Sequence, residues 1–246
     1  MRRHACHALI FALLFSGQSH ADTSCIDSAL LARSTVSITR YFDDEERSAH
    51  ANLVGIQGTG WFHSPTTIVT VEHVAAAMDL SSQGWKLLKL QHDGNTRSIS
   101  ARIQRSAGAH AEKLVVLELE TAIAAAPSVA IRMSPLMPED RLVAVAYPGE
   151  NRRSVGGRFV EYATDGRLAG TALLEMYDGD NRLAIDHGAS GAPVFDCEGR
   201  VAAVIATVMT QIFQTPFGER RLSTAWGMAN VVSVPIQELI AFPQSR

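Results

Sequence analysis

From Thr35 onward the chain keeps returning to one unit: four to eight residues rich in Val, Ile, Leu and Thr, closed off by Gly, Pro, Asn or Asp. Runs of that length and branching suit strands and are too short for stable helices. TVSIT (35–39), IVTV (68–71), KLLKL (86–90), ISARI (99–103), LVVLEL (114–119), RLVAVAY (141–147), RFVEY (158–162) and VAAVIATV (201–208) are the clearest. Turn signals such as HDGN and YPGEN separate some of them. The expected fold class is all-β, as barrels or a sandwich, and not a βαβ sheet. Two segments read as helical. EHVAAAM (72–78) makes a turn or two; SVPIQELIAF (233–242) has Ser233 as cap, Pro235 in the first turn and Ile236, Leu239 and Ile240 on one face.

The first 21 residues stand apart from this pattern. MRRHACHALIFALLFSGQSHA opens with Arg2 and Arg3, runs apolar from Ala8 to Phe15 and ends with Ser19 and Ala21 around His20. That is the plan of a cleaved export signal, and its apolar part is too short to span a bilayer. The mature chain is expected to begin near Asp22 and to be periplasmic or secreted, with no later membrane segment. Net charge is −3 with no basic stripe, which argues against a nucleic-acid partner. Of three cysteines Cys6 lies in the signal, so Cys25 and Cys197 either form a disulfide in an oxidising compartment or stay as free thiols. No zinc-ligand spacing is present, and no metal or other cofactor is expected. ETAIAAAPSVAI (120–131), with Pro127, reads as a linker that divides the mature chain into residues 22–125 and 126–246.

DHGASGAPVFD (186–196) sets Ser190 between Ala189 and Gly191 ahead of an apolar strand. A serine hydroxyl needs a base to take its proton and donors to hold the oxyanion. The mature histidines are His50, His63, His73, His92, His110 and His187, and none follows Ser190. That excludes the serine–acid–histidine order of α/β-hydrolases and leaves histidine–acid–serine open.

GTGWFHSPTTIVTVEHVAAAM (58–78) then supplies a small-residue turn, a strand, a Ser-Pro turn, a second strand and His73 at a helical turn. This resembles the trypsin-like serine peptidases, in particular the Deg-type and glutamyl-endopeptidase-like branches, whose pattern is Gly-Ser-Gly-Phe, a strand, then Thr-x-x-His-Val. PEDRLVAVAYPG (138–149), GASGAPVFDCEGRVAAVIA (188–206) and WGMANVV (226–232) resemble the family's later landmarks in the same order. The resemblance implies two antiparallel six-stranded β-barrels with a short C-terminal helix, His73 in the first barrel and Ser190 in the second. It carries His73 over as general base, Ser190 as nucleophile, and the amides of Gly188 and Ser190 as the oxyanion hole. It implies a serine endopeptidase acting on polypeptides, without an appended peptide-binding domain.

The acid departs from the family. An aspartate should precede LVVLEL, but the closest register puts Lys113 there, with Glu112 beside it. A lysine would oppose the imidazolium. Glu112 could reach His73 through a local bulge, an acid from elsewhere could substitute, or the site could be a weak dyad or inactive. In the last case the protein would be a degenerate relative that holds a peptide or partner in its cleft. The bland reading of Glu112 and Lys113 is a solvated strand end. Primary specificity is expected from Ala184 at the pocket base, Thr207 and Val208 at its wall and His187 at its mouth, which favours small or medium apolar side chains.

Overall fold

The computed structural model describes residues 25–49, 53–109, 112–124, 126–149, 151–177, 188–206, 210–215, 218–223 and 231–241. The first half holds α1 (Ser28–Ala32), β1 (Thr35–Tyr41), α2 (Asp44–Ala49), β2 (Leu53–Ser64), β3 (Thr67–Val71), α3 (Glu72–Ala77), β4 (Lys86–His92), β5 (Asn95–Ala107) and β6 (Leu114–Leu119). The second holds β7 (Arg141–Ala146), β8 (Arg153–Tyr162), β9 (Ala172–Tyr177), β10 (Pro193–Asp196) and β11 (Val201–Ile205). It continues with β12 (Thr210–Thr215), β13 (Gly218–Ser223), β14 (Val231–Pro235) and α4 (Gln237–Ala241).

These strands close two six-stranded antiparallel barrels. The first runs β1-β4-β5-β6-β3-β2 and is sealed by β1 pairing with β2; the second runs β10-β11-β14-β9-β8-β7 and is sealed by β10 pairing with β7. Closure removes the unpaired strand edges that short apolar strands would otherwise expose. The barrels share a core. Along β7, Leu142, Ala144 and Ala146 fill the second barrel, while Val143 and Val145 point the other way into a cluster with Ile38, Val74 and Leu117 of the first half. A strand buried on both faces reads as a continuous apolar run, which is how RLVAVAY looked.

Three features differ from the expectation. Ser233 does not cap a helix; it lies inside β14, paired with Ile205 on one side and Ala172 on the other. Ladder bonds on both edges hold that residue in extended backbone, so the helix starts only at Gln237. The hairpin of β12 and β13 was not foreseen. It belongs to the C-terminal half of the chain yet pairs with β2 of the first barrel, from Thr210 opposite Gln57 to Phe213 opposite Leu53. Two further short helices, α1 and α2, flank β1.

Two long-range ties secure the N-terminal segment. A disulfide joins Cys25 to Cys197, 172 residues apart, in the turn after β10. Buried Arg40 of β1 donates from Nη1 to Met78 O, 2.7 Å away at the C-terminal end of α3, and its other nitrogen binds Glu46. Glu46 also takes a 2.9 Å bond from Lys86 Nζ. Burial alone would raise the Glu46 carboxyl, but the bonds from Lys86, Arg40 and the Asp43 amide overcome it and hold the group at about 2, against an ordinary 4.5.

Replacing both Cys25 and Cys197 by Ser is expected to lower stability by about 2–5 kcal/mol, since the closed loop is long; thermal unfolding with and without reductant measures it. The Glu46 contribution is complete above its unfolded value of about 4.5 and is lost as pH falls through its folded value of about 2. The Tm difference between wild type and Glu46→Gln should therefore be full near neutrality and shrink through that acid window. A gap that stays constant through it would overturn this account of the carboxylate.

Candidate active site

The acid that meets His73 is placed by strand register. β3 and β6 pair antiparallel from Thr67 opposite Glu118 to Val71 opposite Leu114. Past that last pair the chain turns into α3, and Glu72 N donates to Lys113 O at 2.9 Å. Val71, at the N-cap, offers no side-chain acceptor to the orphan amides of the first turn. Glu112 does so from across the ladder: its Oε1 lies 3.1 Å from His73 N and 3.0 Å from His73 Nδ1. One carboxylate oxygen thus holds both the backbone and the ring of the histidine. With Nδ1 engaged, Nε2 is left on the opposite edge of the imidazole.

Lys113, the residue in the aspartate register, does not face the ring. Its Nζ sits 3.3 Å from Glu72 Oε1, in a half-exposed pair that contributes little to stability. A glutamate side chain is one methylene longer than an aspartate. Starting one residue before Lys113, it reaches the His73 ring.

The Ser190 turn is held against β2. Thr59 N donates to Ser190 O at 2.8 Å, Gly191 N to Ile205 O at 2.7 Å and Ala192 N to Ala189 O at 2.9 Å. Gly188 and Gly191 have φ of +93° and +88°, in the left-handed region that favours glycine. Ala192, where the family pattern has a second glycine, is not among the residues of positive φ, so its methyl group is tolerated and packs in the second barrel's core.

Glycines also let the two halves of the site close. A Cβ on Gly58 would fall 2.7 Å from Val74 Cγ1, beside His73, and 3.4 Å from Ser190 O. A Cβ on Gly191 would fall 1.9 Å from Thr59 O and 2.2 Å from Thr70 Oγ1. The start of α3 and the serine turn therefore both come close to β2 at Gly58 and Thr59, where a side chain on Gly58 or Gly191 would keep them apart. Ser190 is fully buried, and among the described residues its Oγ has no hydrogen-bond partner, His73 included.

His73 is the only described histidine with a carboxylate on its ring. Burial, and then nearby Arg105, pushes His63 below its ordinary pKa, and its ring sits edge-on to Trp61. His92 reaches Arg33 O. His50, His110 and the expected pocket residues Ala184, His187, Thr207 and Val208 lie outside the described residues. Among the described residues no group of three or more His, Cys, Asp or Glu could hold a metal ion. Sequence reasoning passed over Thr59, treating Gly58, Thr59 and Gly60 as a small-residue turn. The structure places all three inside β2, paired with β1, because close neighbours of the strand demand small residues there; the missed signal was a hydroxyl between two glycines.

Two closed barrels, one carrying a histidine paired with an acid and the other a serine turn between left-handed glycines, define a chymotrypsin-like fold. The chain belongs to the trypsin-like peptidase family, whose domain model matches residues 58–204. Its fold is similar to that of the Rv3671c protease of M. tuberculosis. The inactive form of that protein superposes with a TM-score of 0.57 at 16% identity, covering 87% of this chain and 89% of that one. The active form gives 0.56 at 14% identity, covering 87% and 81%. A search of curated proteins gave no match.

Gly191→Ala should destabilise the protein by at least about 2 kcal/mol, combining left-handed strain with collision against Thr59 O. Ala192→Gly, at ordinary φ, should cost no more than about 1 kcal/mol. Thermal denaturation of the pair checks both, and equal losses would sink the argument from close approach.

Proposed function

We propose that this protein is an exported serine endopeptidase, released from residues 1–21 and divided at about residue 125 into a half carrying His73 and a half carrying Ser190. Ser190 Oγ attacks a peptide carbonyl. His73 takes its proton at Nε2 and passes it to the leaving amine. Glu112 keeps the Nδ1 edge protonated, fixes the tautomer and stabilises the imidazolium that forms. The amides of Gly188 and Ser190 donate to the oxyanion, and water then releases the acyl-enzyme.

The observation that carries this reading is the 3.0 Å contact between Glu112 Oε1 and His73 Nδ1. It supplies an acid where the strand register offered a lysine. Membership of the trypsin-like peptidase family supports the reaction class. The disulfide is compatible with export, and no helix among the described residues is long and apolar enough to cross a membrane. The pocket expected from Ala184, His187, Thr207 and Val208 would take small or medium apolar side chains.

One observation favours a second reading, in which the cleft binds a peptide without cutting it: Ser190 Oγ has no hydrogen bond to His73 among the described residues.

Casein and peptide-library turnover by the chain from Asp22 separates the two. Ser190→Ala and His73→Ala should lose turnover by on the order of 10³-fold or more, and Glu112→Gln by on the order of 10²–10⁴-fold, with Ser190 labelled by a fluorophosphonate in wild type alone. A wild type that neither turns over substrate nor labels above Ser190→Ala would leave the binding reading standing. Full activity in Glu112→Gln would remove Glu112 from the mechanism.

A further inference from the structure

We propose that Thr59 is a positioning residue that clamps both peptide planes flanking the Ala189–Ser190 pair, so that its hydroxyl sets the aim of the oxyanion donors. This rests on the peptidase reading. Thr59 is fully buried on β2, opposite Ser37 of β1, and its three polar groups make four hydrogen bonds. Its Oγ1 donates to Gly188 O at 2.6 Å and accepts from Tyr147 N at 3.1 Å. Its amide donates to Ser190 O at 2.8 Å, and its carbonyl accepts from Thr70 Oγ1 at 2.8 Å.

The two carbonyls it holds, Gly188 O and Ser190 O, lie on either side of the nucleophile. Pinning Gly188 O fixes the peptide plane that follows Gly188, a residue at φ +93° with no Cβ to restrict it. The Gly188 amide is on the other side of that same α-carbon. Its direction is therefore settled by how firmly the next plane is held, and a glycine supplies no stiffness of its own. The backbone bond from Thr59 N survives any side-chain change, so Ser190 keeps its anchor when the hydroxyl is removed. Gly188 loses its own.

The third partner gives the clamp a reach beyond the turn. Tyr147 follows β7 of the second barrel, and Gln57, two residues before Thr59 on the same face of β2, donates to Gly149 O in the loop that follows. A single hydroxyl thus ties the first barrel's strand, the second barrel's β7 end and the nucleophile turn together. Docking of the two barrels and alignment of the oxyanion site become one event.

Thr59→Ser, Thr59→Cys and Thr59→Val test this on the chain from Asp22, with steady-state kinetics and amide exchange at Ala192, whose N–H bonds Ala189 O on the side of the turn that loses its anchor. Ser keeps the donor and should stay within about threefold of wild type. Val should lower kcat by on the order of 10–10³-fold with KM changed less than about threefold, as expected when donors meet the transition state badly. Cys, a weak donor, should fall between. The Ala192 amide should exchange at least about tenfold faster in Val than in Ser. If Val does not fold, the Ser and Cys variants decide, and equal kcat in those two overturns the clamp. An active wild type with an unaffected Val variant also overturns it and leaves the peptidase reading intact. A silent wild type fails the peptidase reading instead; the exchange rates then read the clamp alone, and unchanged protection in Val overturns it.

Discussion

Hydrogen bonding along one edge of β2 organises the rest of this molecule. The strand is 12 residues long, and its other edge is taken by β1 through the whole register from Gly55 to Trp61. The edge that remains is used three times in succession. β3 pairs from Trp61 to Ser64, the serine turn docks at Thr59, and β12 pairs from Gln57 back to Leu53. The first of these completes a barrel, the second brings in the Ser190 turn from the other barrel, and the third recruits a hairpin from the far end of the chain. Gly58 and Gly60 permit the approach, since a Cβ on either would collide with neighbouring side chains.

The histidine and its acid depend on a second consequence of antiparallel pairing. Where β3 and β6 part, the amides at the start of α3 need acceptors, and the chain just before β6 is the nearest source. Glu112 serves two groups with a single oxygen: it accepts from the helix amide of His73 and lies 3.0 Å from Nδ1 of the same residue's ring. At the other end of α3, Arg40 satisfies Met78 O and is itself neutralised by Glu46. The short helix carrying His73 is therefore held at both ends by groups from other elements, which compensates for a length that would not be helical alone.

Much of the barrel structure was legible because closed antiparallel barrels demand short, branched, turn-bounded strands. LVVLEL and RLVAVAY form strands at nearly the positions read from sequence. The less legible elements are those whose pattern depends on partners. TQIFQT and GERRLS carry too few apolar residues to announce strands, and they form a hairpin through backbone pairing to β2. Ser233 has the look of a helix cap, yet ladder bonds on both edges outweigh local preference. Glu112 and Lys113 could not be ranked from spacing, because which side chain faces His73 depends on where the ladder stops.

By itself the sequence determined the all-β class, the histidine-before-serine order and the glycines around Ser190, since each follows from local sterics or from the order of residue types. Tertiary structure alone decided that Glu112 and not Lys113 lies on the imidazole, that Thr59 binds the carbonyls of Gly188 and Ser190, and that Cys25 meets Cys197. Those contacts join residues between 39 and 172 positions apart, and the hydrogen bonds among them span only 2.6 to 3.1 Å. No local pattern carries information at that distance and precision; it arises only when closed ladders fix the register of strands from both barrels at once.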